Sequence, residues 1–203
     1  MKSIFKLTFL SLAFAPLFMG CVEEDDIEVA PFRPLIFSET FEEVNNNQPF
    51  DYPGWTNFVE AGNPSKKWVE RYVSNMGFIL FNPHPTTDVS NIAWAITPAI
   101  NLDQTDNERL TFETASNFVT SPNNKIEILI STNYDGTDVL AATWEPLEAR
   151  VADNTTNGYV FIPSGEIDLS SYSGNIHIAF RVIGGQALAG LYEVDNIKVY
   201  SAE

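Results

Sequence analysis

Side chains able to bind transition metals or act as nucleophiles are scarce. The 203 residues hold one cysteine, Cys21, and two histidines, His84 and His177. Beyond residue 21 there is no cysteine, which excludes disulfides, a thiol nucleophile and Cys-ligated zinc from everything that follows. The histidines stand in no H-x-x-x-H pair: His84 lies in the turn Asn82-Pro83-His84-Pro85 and His177 has outward strand parity, so both are expected at the surface. The chain contains no G-x-S-x-G elbow and no Gly-rich phosphate loop opening a helix, and Gly184-Gly185 is expected to be a hairpin turn. Basic side chains are few, 11 Lys and Arg against 27 Asp and Glu. Without the first twenty residues nine basic groups remain and the net charge is −18. Nucleic-acid binding needs Lys and Arg to neutralise phosphates, so it is excluded as a function, and docking on anionic lipid by charge is disfavoured.

Residues 1–20 hold a short basic start (Lys2, Lys6) and an apolar run from Phe9 to Met19, too short to span a bilayer as a permanent helix. Cys21 directly follows Gly20, and this junction resembles the lipobox of bacterial lipoproteins, with Phe18 where Leu is usual. The resemblance implies cleavage before Cys21 and its lipidation, giving a stable membrane anchor through several acyl chains. Residues 21–34 carry Val22-Glu23-Glu24-Asp25-Asp26, two prolines and no apolar periodicity, as expected of an extended acidic tether. An acidic run at this place resembles the surface-export signal of Bacteroidetes lipoproteins, which implies an outer-membrane anchor facing the extracellular side.

From 35 to 203 the pattern is alternation with period two, not a helical repeat. Ile126, Ile128 and Ile130 share one strand face; Ile176, Ile178, Phe180 and Val182 share another; Leu110 and Phe112 a third. Less clean strands are expected at 36–41, 55–59, 67–73, 77–81, 92–97, 143–148, 158–162 and 191–200. Roughly ten short antiparallel strands in a stretch of this size specify an all-β sandwich of jelly-roll type, in one domain.

Phe37-Ser-Glu-Thr-Phe-Glu42 with Pro53-Gly54-Trp55, Ala93–Leu102, Leu110–Glu113, Ile128–Gly136 with Trp144, Ile167–Gly174, Ile178–Arg181 and Val194–Val199 occur in an order that resembles choice-of-anchor J domains. Their relatives include the cleaved adhesin domains of gingipains and, more distantly, MAM domains. Leu191-Tyr192 departs from the Trp such domains often have before the Asp-Asn pair. The resemblance implies a jelly roll on surface lipoproteins of Bacteroidetes, with roles in adhesion or glycan recognition and no implied catalysis.

Four tryptophans and seven tyrosines could stack on sugar rings, but most are expected to pack inside. Trp94 shares its parity with Ile92 and Ile96 and reads as core, and Trp55 and Trp144 as structural. Trp68, beside Lys67, and Tyr134, at the Asn133-Tyr134-Asp135-Gly136 turn, are expected to be exposed and are the candidate sugar platform. A metal candidate comes from parity. Glu39 shares a face with Phe37 and Phe41, and Asp195 with Ile197 and Val199, on the first and last strands of the sandwich. Two buried neighbouring carboxylates need a proton or a cation between them, and oxygen-only ligands favour Ca²⁺, with Glu42 and Asn196 able to add oxygens. The expected function is a non-catalytic extracellular module for glycan capture. The alternatives are an adhesin or assembly subunit binding protein, and a glycoside hydrolase, which short connections between strands would disfavour.

Overall fold

The alternating runs form strands because period two puts one apolar row against the opposing sheet. The computed structural model describes residues 33–43, 45–185 and 190–202. Residues 1–32, which include the expected signal segment, Cys21 and most of the expected tether, lie outside the described residues. Among those described, thirteen strands and no helix occur. They are β1 (Leu35–Glu39), β2 (Thr56–Ala61), β3 (Val69–Val73), β4 (Met76–Phe81), β5 (Asn91–Ile96), β6 (Ile100–Asn101) and β7 (Glu108–Asn117). The series continues with β8 (Lys125–Ser131), β9 (Glu145–Pro146), β10 (Ile162–Pro163), β11 (Ile167–Asp168), β12 (Asn175–Gly184) and β13 (Leu191–Ser201).

Two antiparallel sheets result, packed as a jelly-roll sandwich. One sheet has seven strands in the order β10-β7-β13-β4-β3, with β1 on the second half of β13 and β11 on β7. The other has six, β2-β5-β12-β8-β9, with β6 on β12. First and last strands do lie side by side, with Glu39 opposite Ile197. Between the sheets, Ile126, Ile128 and Ile130 of β8 and Ile178, Phe180 and Val182 of β12 meet Leu110 and Phe112 of β7 and Val194, Ile197 and Val199 of β13. Phe112 and Phe180 join the layers edge to face, 5.2 Å between centroids.

Several expectations need correction. Most connections are short, as expected, but 40–55, 132–144 and 147–161 are long, irregular and packed over the sheets. The 132–144 segment makes a second apolar cluster on the outer face of the six-stranded sheet, from Trp94, Ile96, Leu129, Tyr134, Val139 and Ala179. Trp94 is therefore buried, but outside the main core, where Ala93 and Ala95 point instead. His177 has the outward parity read from sequence yet is buried beneath this segment, its ring 4.9 Å from Tyr134 and its Nδ1 2.8 Å from the Thr97 carbonyl. Gly184-Gly185 is not a hairpin turn, since β12 and β13 belong to different sheets. A Cβ on Gly185 would stand 2.3 Å from the Val89 carbonyl oxygen, and this close backbone approach explains the glycine.

Candidate functional site

A groove of about 610 Å³ runs across the outer face of the seven-stranded sheet. Its near wall is the β3–β4 hairpin, closed by Ser74 and Asn75 with φ of 52° and 65°, both left-handed as a two-residue hairpin turn of the right twist requires. This turn sets Arg71 directly opposite Phe78. Phe78 and Leu80 lie on the outer face because Ile79 and Phe81 take the core. The floor continues onto β13 with Leu191 and Glu193, and Phe161 covers Phe78 edge to face at 5.7 Å.

The far wall is Phe118 and Tyr159, rings 6.2 Å apart and nearly perpendicular, 63% and 48% exposed. Both residues have left-handed backbones, φ of 58° and 61°. Such a conformation costs a non-glycine residue on the order of 1–2 kcal/mol. Asn157 holds them there: its Oδ1 accepts from Val119 N–H at 2.9 Å and its amide donates to the Val119 carbonyl at 2.8 Å. The backbone N–H groups of Gly158 and Tyr159 both donate to the Ser116 carbonyl at 3.1 Å. Two large apolar rings are thus fixed in strained positions that leave them in water.

Glu193 is the polar centre of the groove. It is only 3% exposed, and among the described residues no hydrogen bond or ion pair reaches its carboxylate. Burial pushes it up to about 7, with the charge of Arg71 pulling the other way. Arg71 donates through one terminal nitrogen to Asn47 Oδ1, while its Nε is buried without a partner. A carboxylate that no protein group answers and a buried, unpartnered guanidinium N–H therefore share one groove. Glu193 is the one carboxylate lining it among the described residues, so the carboxylate pair of a glycosidase is not assembled here.

A larger cleft of about 810 Å³ lies between the 43–55 segment and β2 and β3. Asn57 and Glu70 are taken up by the chain itself, whereas the Tyr52 hydroxyl is buried without a partner. Asn57 donates to the carbonyls of Phe50 and Trp68 at 3.0 and 2.9 Å, and the Glu70 carboxylate accepts from Asn45 N–H.

The sugar platform expected at Trp68 and Tyr134 is overturned. Trp68 is 0% exposed in the main core against Phe81, and Tyr134 is 6% exposed, its hydroxyl 3.0 Å from Thr56 Oγ1. The turn that carries Tyr134 folds back onto the sheet, and the 45–50 segment lies along β3 with backbone bonds to Trp68 and Glu70. Trp55 and Trp144 are structural, as read: Trp55 packs on Phe50 at 5.1 Å and Trp144 on Trp94 at 5.3 Å.

The acidic end of β1 and β13 differs from the parity argument. Tyr192 and Val194 face the core on even numbers, Ile197 and Val199 on odd ones, because a bulge at Asp195–Lys198, with Asn196 at φ 53°, inserts a residue. Asp195 thus points to the outer face, directly opposite Glu113, not with Ile197 and Val199. It is buried and raised to about 6, first by burial, then by Glu113, Glu42 and Glu39, against the Asn196 backbone N–H. The Asn196 amide donates to Glu113 at 2.9 Å and Asp195 at 3.3 Å, and Glu39 accepts from Phe41 N–H at 2.8 Å. Among the described residues no group of three His, Cys, Asp or Glu is arranged to hold a metal ion.

These raised carboxylates set a pH dependence. The folded state holds their protons where the unfolded chain has released them, so stability is highest in mild acid and falls as pH rises from about 4 to 7. The effect is on the order of 2–3 kcal/mol for each group. Glu127 acts in the opposite sense: against its burial, Lys125 and Arg181 hold it low, so its contribution is lost as pH falls. The melting temperature is expected to be higher at pH 5 than at pH 7.5, with Glu193→Gln removing a large part of the difference. Equal values in the wild type would refute the assignment.

The class this fold defines is the all-β jelly-roll sandwich. Among solved structures the chain is similar to the K3 cleaved adhesin domain of Lys-gingipain from Porphyromonas gingivalis w83, at 14% identity and a TM-score of 0.54, over 84% of this chain and 100% of that one. The K2 cleaved adhesin domain of Lys-gingipain is similar at 16% identity and 0.52, over 82% and 99%. A family 29 carbohydrate binding module matches at 12% identity and 0.43, over 86% and 91%. Likeness at such identities shows the fold alone. No family model and no curated protein matches the chain.

Proposed function

We propose that the chain is a non-catalytic glycan-binding module, tethered through lipid on Cys21 to the outer membrane and facing outward, where it captures polysaccharide. The observation that carries the reading is the pair Phe118 and Tyr159, exposed, strained and clamped beside a buried carboxylate without a partner. Sugar rings offer an apolar C–H face to such aromatics and hydroxyls to such a carboxylate. Rigid aromatic walls over a β-sheet floor also lower the ordering cost of binding. The jelly-roll fold supports the reading in general terms only, because one fold hosts many functions.

Binding and folding are separable at these two positions. Phe118→Gly and Tyr159→Gly remove an exposed ring and relieve a left-handed strain, so stability is expected to stay within about 1 kcal/mol of wild type. Binding of the full chain to its tightest partner on a glycan array should weaken at least tenfold in each. Unchanged binding in both variants would place the site elsewhere. A second reading, an adhesin docking protein, draws on Val73 and Met76, which extend the exposed apolar surface beside the groove. It expects no array signal and loses nothing from unpaired sugar hydroxyls.

A further inference from the structure

We infer that the groove selects an uncharged pyranose through two adjacent hydroxyls, one donating to the Glu193 carboxylate and its neighbour accepting from the Arg71 guanidinium. The inference rests on the glycan reading and goes further, to the ligand's charge and to the residues that read it. Glu193 is 3% exposed and makes no hydrogen bond or ion pair among the described residues, the Arg71 Nε is buried without a partner, and both residues line the groove. Buried groups of this kind are costly unless something completes them. An apolar side chain alone would seal the groove and leave both unanswered. A cationic ligand would meet the charge of Arg71, which already acts on Glu193. An anionic sugar would meet a buried carboxylate inside a strongly acidic protein.

A vicinal diol satisfies both groups at once, since each hydroxyl is donor and acceptor. The planar guanidinium offers donors in a fixed fork, and one terminal nitrogen is already held by Asn47, which fixes the orientation of the rest. The hairpin turn at Ser74-Asn75 and the central position of β13 in its sheet place both side chains on regular strands, whose positions are more constrained than loops. Phe118 and Tyr159 then lie beside the same ring and cover its apolar face.

The test uses the full chain on an array of neutral cello-, manno-, xylo- and galacto-oligosaccharides together with oligogalacturonates. Neutral sugars are expected to bind and oligogalacturonates not. For the tightest neutral sugar, Glu193→Gln and Arg71→Lys should each weaken titrated affinity about ten- to hundredfold. Glu193→Gln should keep or raise the melting temperature at pH 7.5, which separates lost recognition from lost folding. The double variant should lose less than the product of the two single losses, because one diol engages both residues. Oligogalacturonates bound as tightly as neutral sugars, or wild-type affinity in both single variants while Phe118→Gly loses binding, would overturn the inference and leave the glycan reading standing. No glycan bound at all would overturn the glycan reading, and this inference with it.

Discussion

Gly77→Ala is expected to destabilise the protein by about 3–5 kcal/mol, although it adds one methyl group to a strand. Gly77 has no unusual φ; what matters is contact. A Cβ there would stand 1.8 Å from the Phe41 carbonyl oxygen and 2.6 Å from its carbon, both backbone atoms that cannot turn aside. Phe41 is fully buried and itself left-handed, at φ 50°. Its ring packs on Phe50, Tyr52 and Trp55 with centroids 5.7–5.8 Å away, so moving it disturbs an entire aromatic cluster. In a domain of this size the melting temperature should fall by about 10 °C or more. Gly136→Ala is the control: its φ of 88° carries strain but nothing lies within 4 Å, and a loss of about 1 kcal/mol is expected. Equal losses in the two variants would show that the close approach of β4 to the chain after β1 is not what requires Gly77.

Trp68→Ala is the second large effect, expected at about 3–5 kcal/mol. The side chain is 0% exposed and packs on Phe81 at 5.9 Å. Its backbone bonds survive the change: the carbonyl accepts from Asn57 Nδ2 and Phe50 N–H, both at 2.9 Å, and its N–H donates to Asn57 Oδ1. The loss therefore measures the cavity. Trp68→Phe should be far milder, because the indole N–H is buried without a partner and phenylalanine removes that donor. Denaturant unfolding checks both. A Trp68→Ala loss under 1 kcal/mol, with reduced sugar binding, would restore Trp68 as an exposed platform.

Much of the fold is legible in the sequence where both neighbours of a strand are themselves strands. In β8 and β12 every second residue is a large aliphatic or Phe, and the structure pairs them in register from His177–Ser131 to Ile183–Lys125. Legibility fails where a third layer covers a sheet. His177 and Trp94 have outward parity, and only the 132–144 segment, with no periodicity of its own, decides that they are buried. It fails again at Asp195, where parity counting presumes an unbroken strand and Asn196 breaks it. The groove was missed because its walls come from residues 41 positions apart in irregular segments. Faint signals were present: an aromatic directly after Asn117 at a strand end, another directly after Gly158, and a charged Glu193 between the core residues Tyr192 and Val194. None of them identifies a site until the fold brings them together.

In the proposed function, sugar lies on the outer face of the seven-stranded sheet, against Phe118 and Tyr159. Backbone amide shifts of the isotope-labelled full chain, followed while a neutral oligosaccharide from the array is added, test it most directly. The largest changes are expected at 71–82, 117–119, 157–161 and 191–193, with Trp68 and Tyr134 among the least affected. Changes centred instead on the cleft at Trp55 and Lys67, or on the outer cluster around Trp94 and Trp144, would contradict the claim.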